Sequence, residues 1–301
     1  MVENLANKTM LEVAPPAKRT STESINNTVE KIAALANEHQ VDYINIPEII
    51  AENHEGTPLY KNMDPREFGC LLKSHTKAQI VVNKVVTHLP SAEFDTWLSN
   101  TVNQYNINNV VFVGGNSNSI KYHGINVIQA NQKASNFNIN IGNIAIPTRP
   151  NEVERLIAKT QSGCTFFTTQ ILFEADSMKN TLLQYANQCK KKNLTPATFF
   201  LCFAPLSDSL DIEYIKWLAA YLPKETEAKL EKNPKKASVE LAVEILQDIR
   251  NFRETTNLSI PLSTCVEPIS TRNLDLAKEM LNAIRKNNLT QIKIEEKLGK
   301  K

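Results

Sequence analysis

The chain has 301 residues, 42% of them hydrophobic, enough for one large α/β domain or two ordinary ones. Its 34 basic and 32 acidic residues nearly cancel and form no basic block interleaved with aromatics, which argues against a nucleic-acid or anionic-membrane partner. No apolar run approaches the roughly 20 residues of a membrane-spanning helix, and the polar start MVENLANKTM lacks a signal-peptide segment, so a cytoplasmic protein is expected.

Residues 1–8 read as a flexible lead. A strand over 10–13 stops at Pro15 and Pro16, and a helix follows over 24–37. A strand at 42–46 opens into a long connection, 47–64 (PEIIAENHEGTPLYKNMD), of the kind that often lines a site. Helix and strand then alternate: helix 65–75, strand 80–86 (IVVNKVV), helix 92–104, strand 110–114, helix 125–135, strand 139–146, helix 152–160, strand 164–170, helix 177–191, strand 198–203 and helix 211–222. The charged segment 223–237 (PKETEAKLEKNPKKA) reads as a solvated linker or helix face. A helix at 238–255, a last strand at 258–264 and a helix at 274–285 complete the domain, 9–289, before a surface tail over 290–301. In NEVERLIAKTQSG, Val153, Leu156 and Ile157 recur at helical spacing, Asn151 can cap with Glu154, and Gly163 follows the end.

Runs such as ATFFLCF are apolar on both faces, which implies parallel strands under helices. Eight strands, each followed by helix, is the count of a single-domain (β/α)8 TIM barrel; a doubly wound sheet shares the alternation. The barrel is favoured because no Gly-x-Gly-x-x-Gly follows the first strand and the chain has only 8 glycines. VFVGGNSNS is the nearest approach to a phosphate loop, and a plain β-to-α turn explains it as well.

Chemistry in such a barrel sits at the C-terminal ends of the strands. Those ends carry Glu12, Glu48, Asn83, Lys84, Asn116, Arg149, Gln170, Ser207 and Glu267. Glu12 lies among apolar neighbours, where partial desolvation raises a carboxyl pKa and suits it to general-acid work; the alternative is a structural pair with Lys84 or Arg149. Gln170 offers a donor and an acceptor for a heterocyclic ring edge, or else caps the following turn. Asn83 and Asn116 also read as loop amides, and Lys159 as a solvated helix lysine. The five histidines have no ligand spacing, and five scattered cysteines without a C-x-x-C fit a reducing compartment, so neither a zinc site nor a disulfide is expected.

The motifs LEVAPP, IGNIAIP, AKTQSGCTFFTTQILFE and FAPLSD together resemble the methylenetetrahydrofolate reductase family over about residues 10–286. That family consists of flavin-dependent (β/α)8 barrels. The resemblance implies a folate or pterin substrate, FAD, NAD(P)H as electron donor and a place in one-carbon metabolism on the way to methionine. It implies that Glu12 assists opening of the methylene bridge and that Gln170 hydrogen-bonds the folate ring. It further implies cofactor contacts from Asn83, Gly115, Asn116, Tyr122, Arg149 and Lys159, with Tyr122 beside the flavin and Lys159 near its phosphates.

The chain departs from the family mainly on the flavin side. Asn83 stands where a His is usual, Gly114-Gly115-Asn116 where Arg-Gly-Asp is usual, and Pro147-Thr148-Arg149 where Pro-Glu with a nearby His is usual. Three readings follow. The first is a methylenetetrahydrofolate reductase-like oxidoreductase. The second is a flavin-independent folate barrel doing non-redox one-carbon transfer or carbon–carbon cleavage. The third is a non-catalytic subunit that binds a protein partner, through 47–64 or 223–237. A homo-oligomer is compatible with each.

Overall fold

The structure, a computed structural model, describes residues 5–53, 55–115 and 120–298, the last helix by its backbone alone from residue 288. In chain order its elements are β1 (Thr9–Glu12), α1 (Thr22–Glu38), β2 (Tyr43–Ile46), β3 (Ala51–Glu52), β4 (Pro58–Leu59), α2 (Pro65–Lys73), β5 (Gln79–Val85), α3 (Ser91–Asn103), β6 (Asn109–Val113) and α4 (Val127–Ala134). There follow β7 (Asn140–Ala145), α5 (Glu152–Gln161), β8 (Phe166–Thr169), α6 (Asp176–Lys192), β9 (Thr198–Phe203), α7 (Ser209–Trp217), α8 (Lys224–Lys232), α9 (Pro234–Thr255), β10 (Leu262–Val266) and α10 (Leu274–Leu298). Eight strands pair in parallel and close in the order β1-β10-β9-β8-β7-β6-β5-β2, the (β/α)8 barrel expected from the alternation. Among the described residues no helix is long and apolar enough to cross a membrane.

Alternation along each strand separates two cores. Leu11, Ile44, Ile46, Ile80, Val82, Phe112, Phe167, Phe199, Leu201 and Val266 face outward and pack under the helices. Met10, Tyr43, Val81, Val111, Phe166, Phe200, Cys202 and Cys265 face inward and fill the barrel, with Leu5 beside them. Phe200 meets Tyr43 and Phe166 edge-on, with ring centroids 6.1 and 5.7 Å away, so the lumen is a packed plug.

Several local expectations are corrected or made more specific. The last strand is Leu262–Val266 and not 258–264. Asn257 takes a left-handed turn (φ 52°), after which Leu258 and Ile260 pack in the helix layer before the ladder begins. The charged segment 223–237 folds as α8 and the start of α9, because Leu230 is buried against Ile171, Phe173, Leu206, Ile212 and Ile215. Asn151 does not cap α5. It sits at φ 56° without a side-chain bond to the helix, while the buried Glu152 turns back to accept from Ile146 N–H at 2.9 Å. The 47–64 connection contains a two-stranded antiparallel ribbon, β3 with β4. At the ends, Asn7 N–H bonds Leu262 O beneath the barrel at 2.9 Å, and α10 runs on into the segment read as a tail.

Gly142 on β7 is required by the plug. A Cβ there would lie 2.3 Å from Cζ of the Phe166 ring, which the surrounding aromatics hold in place. Gly142→Ala is therefore expected to destabilise the fold by about 1–3 kcal/mol, the usual cost of overpacking a tight core. Chemical denaturation checks this; an unchanged midpoint would show that the lumen has slack.

Candidate active site

The C-terminal ends of the strands bring together side chains far apart in sequence. β1 and β2 pair with Glu12 opposite Asn45, and Asn45 Nδ2 donates to Glu12 Oε2 at 2.6 Å. Neither ion pair considered for Glu12 forms: Lys84 faces outward and bonds Glu48 at 2.5 Å, and Arg149 bonds Glu152 at 2.5 Å. Burial pushes the Glu12 carboxyl up to about 7, against the lowering effect of the Asn45 bond. Glu267, one position past β10, joins it from the neighbouring strand. Burial first, then Cys202 and Glu12, lift its carboxyl well above the ordinary range. Tyr214 on α7 lies close enough for Glu12 to add to the burial that raises its phenol pKa, and it stacks on Trp217, which is 76% exposed.

At the C-terminal ends of the strands, three inward polar atoms have no hydrogen-bond partner among the described residues: Asn45 Oδ1, Asn83 Oδ1 and Thr168 Oγ1. Each such buried group costs on the order of 1–3 kcal/mol unless something else satisfies it. Their placement at inward strand positions around Glu12 gives the mouth hydrogen-bonding capacity that the protein itself does not use. A larger groove lies at the other end of the barrel, lined by Lys8, Asn37, Gln40, Asp42, His75 and Gln79. Among the described residues its lining shows no comparable set of unpartnered buried atoms, and in this fold reactions run at the C-terminal end.

The other expected site residues are less gathered. Gln170 Nε2 donates to Leu218 O at 3.1 Å, fastening the end of α7 over the mouth. Tyr122 gives its hydroxyl to Glu52 Oε2 at 3.1 Å, and Glu52 Oε1 bonds His88 Nε2 at 2.8 Å. His88 also meets the Tyr122 ring edge-on at 5.3 Å, and Gly115 lies against the same ring, where a Cβ would come within 2.2 Å. This cluster ties the β3–β4 ribbon to the loops after β5 and β6. Lys159 is neither solvated nor free for a phosphate: it donates to Ile144 O at 2.7 Å, and burial lowers its pKa. Asn116 lies outside the described residues. Arg149, Lys159 and Tyr122 are thus engaged within the protein, and as placed they do not fit the phosphates and ring of a flavin.

Asn45, Thr168, Cys202 and Cys265 were absent from the expected site. A signal for Asn45 exists: it is the one polar residue in the strand YINI, at the same parity as the lumen-facing Tyr43.

The sequence profile of the mycobacterial methylenetetrahydrofolate reductase family matches residues 5–234. The chain belongs to this family. No curated protein matches it. Among solved structures it is similar to an uncharacterized protein from Clostridium thermocellum that binds two copies of 5-methyl-5,6,7,8-tetrahydrofolic acid, with TM-score 0.77 and 20% identity over 94% of this chain and 96% of that one. It is also similar to a thermostable aldo-keto reductase in complex with the inhibitor epalrestat, with TM-score 0.53 and 12% identity over 92% and 93% of the two chains. At these identities the likenesses establish the barrel, while the family rests on the profile.

Within this reductase family member, the raised Glu12 carboxyl carries a stability signature. The folded chain keeps this proton up to about pH 7, whereas the unfolded chain releases it near 4.5. Between those values the folded state binds more protons, so stability falls as pH rises and the loss is complete above the folded value. The shift from 4.5 to about 7 sets an upper limit of about 3 kcal/mol. Glu12→Gln should flatten this decline in unfolding free energy, measured by denaturant titration across that range. Parallel curves for the two proteins would mean that Glu12 ionises normally.

Proposed function

We propose that the chain reduces the one-carbon unit of a methylenetetrahydrofolate-type substrate to the 5-methyl form, with hydride from a reduced nicotinamide and Glu12 as proton donor. The observation that carries this reading is the protonatable Glu12 held on Asn45 at the mouth of a reductase-family barrel. Opening the methylene bridge requires a proton on the departing nitrogen, the one outside the pterin ring, and leaves an electrophilic iminium carbon on the pterin nitrogen that accepts the hydride. A carboxyl whose pKa lies near neutrality is both protonated often enough and acidic enough for that transfer. After donation, the Glu12 carboxylate keeps its hydrogen bond from Asn45 Nδ2. Asn83 Oδ1 and Thr168 Oγ1 are available to a polar ring edge, and Gln170 presents Oε1 while its Nε2 stays on Leu218. The folate held by the Clostridium thermocellum neighbour supports this class of ligand.

A flavin has no part in this reading, because Arg149, Lys159 and Tyr122, three of the residues expected to hold one, are engaged elsewhere. The same observation favours, as second reading, a folate barrel that performs non-redox one-carbon transfer. Purified protein is to be mixed with NADH or NADPH and methylenetetrahydrofolate, with and without added FAD, while nicotinamide oxidation is followed. Turnover is expected without added flavin. Glu12→Gln should lower it by about 10²–10⁴-fold, the range for loss of a general acid, with folate affinity nearly unchanged. Folate binding with no nicotinamide oxidation under either condition sinks the reduction and leaves the non-redox reading. Full activity of the variant removes Glu12 from the mechanism.

A further inference from the structure

Two thiols and a carboxyl from neighbouring strands meet beside Glu12. Cys202 on β9 and Cys265 on β10 are register partners, and both point into the barrel. Glu267 lies two residues past Cys265 and so shares its face; its N–H bonds Phe203 O at 2.8 Å, which carries the ladder one step beyond β10. The two Sγ atoms and a Glu267 carboxylate oxygen all lie within 4.8 Å of one another. Both cysteines are fully buried, while Glu267 is partly open toward the mouth.

The groups that act most strongly on this triad electrostatically are its own members and Glu12, with no lysine or arginine among them. Lys84, Arg149 and Lys159 are all bound to other partners. With nothing nearby to balance a charge, burial among thiols and a second carboxyl keeps the Glu267 carboxyl neutral, because charging it there would cost stability. A divalent cation reverses that cost by turning each of these groups into a ligand.

We propose that Cys202, Cys265 and Glu267 bind a borderline-soft divalent cation of the Zn²⁺ class, with a fourth position open toward the barrel mouth. Two thiolates select Zn²⁺ over Mg²⁺ or Ca²⁺, which prefer all-oxygen shells. Tetrahedral coordination by two sulfurs and an oxygen sets the donors about 3.5–3.8 Å apart, so the triad needs to close by only about 1 Å. Binding forms two S–metal bonds and one O–metal bond, the thiol and carboxyl protons pass to solvent, and no electrons change hands. Glu12 remains outside the triad on Asn45. A bound cation would favour its carboxylate, so the proton-donor role proposed above belongs to the protein with the triad empty. The metal site does not depend on the folate reading, and its test uses no turnover.

The full chain, stripped with a chelator and dialysed, is to be titrated with Co²⁺. One equivalent should produce sulfur-to-cobalt charge-transfer absorption and tetrahedral d–d bands, and Zn²⁺ but not Mg²⁺ should erase them. Cys202→Ser and Cys265→Ser should weaken the charge-transfer band. Glu267→Gln should keep it with affinity lower by about tenfold or more, since even outer partners of metal ligands are worth 10–100-fold. Circular dichroism reports whether the serine variants fold; if they do not, the wild type and Glu267→Gln decide the question. Absence of charge-transfer bands in the wild type, unchanged bands in a folded serine variant, or unchanged affinity in Glu267→Gln overturns the proposal.

Discussion

The register that sets Glu12 opposite Asn45 across the β1–β2 seam is the constraint on which the site depends. Side chains alternate along a strand, so a slip of one residue would turn Glu12 into the helix layer and bring Leu11 inward. The register is enforced from both sides. Leu11 pairs with Ile44 and Val266 in the outer apolar layer, and Met10 pairs with Tyr43 and Cys265 in the lumen. Each apolar contact loses its partner in the slipped register, and each fully buried side chain of this size contributes roughly 1.5–3 kcal/mol. The apolar pattern therefore positions a polar pair that would not hold itself there: a buried carboxyl and amide repay their desolvation poorly.

The same packing sets the chemistry of the mouth. Phe166, Phe200 and Tyr43 seal the lumen below, so the inward groups above them have water on one side only. That asymmetry raises Glu12 to about 7 while its Asn45 bond limits the rise. A lysine in the lumen would have cancelled the effect. Lys84 is one residue from the inward Asn83, yet parity turns it outward to Glu48, with Tyr60 and Trp97 beside its ammonium. A pairing that Glu12 could have made in sequence terms is excluded by a single step of strand alternation.

Much of the fold was legible because both-face apolar strands and spaced helices give strong periodic signals. The barrel, its strand count and the parity that points Glu12 and Gln170 toward the mouth follow from those signals. Three other features depended on long-range placement. Leu230 makes α8 a packed helix inside a segment whose composition reads as solvated. Cys202 and Cys265 read as scattered thiols until the β9–β10 register makes them neighbours. Lys159 looks like a surface lysine by helical spacing, but its long stem carries the ammonium to the Ile144 carbonyl.

The two halves of the site implied by the family resemblance are built differently, and the hydrogen bonds show how. The role proposed for Glu12 rests on its protonation state, which burial and one amide can set without a cofactor present. Arg149, Lys159 and Tyr122 could serve a flavin only as free cations and an open ring. Here the cations close the β7–α5 corner through Glu152 and Ile144, and the tyrosine anchors the β3–β4 ribbon through Glu52 and His88. Recovering any of them for a cofactor would mean breaking a bond that now holds a loop in place and leaving its partner unsatisfied. Glu152 is the costliest case, because its buried carboxylate would lose the Arg149 charge and keep only the Ile146 N–H. The loops that would have gripped a cofactor are thus stabilised by the residues that would have bound it, whereas the carboxyl–amide pair at the mouth carries no such second duty.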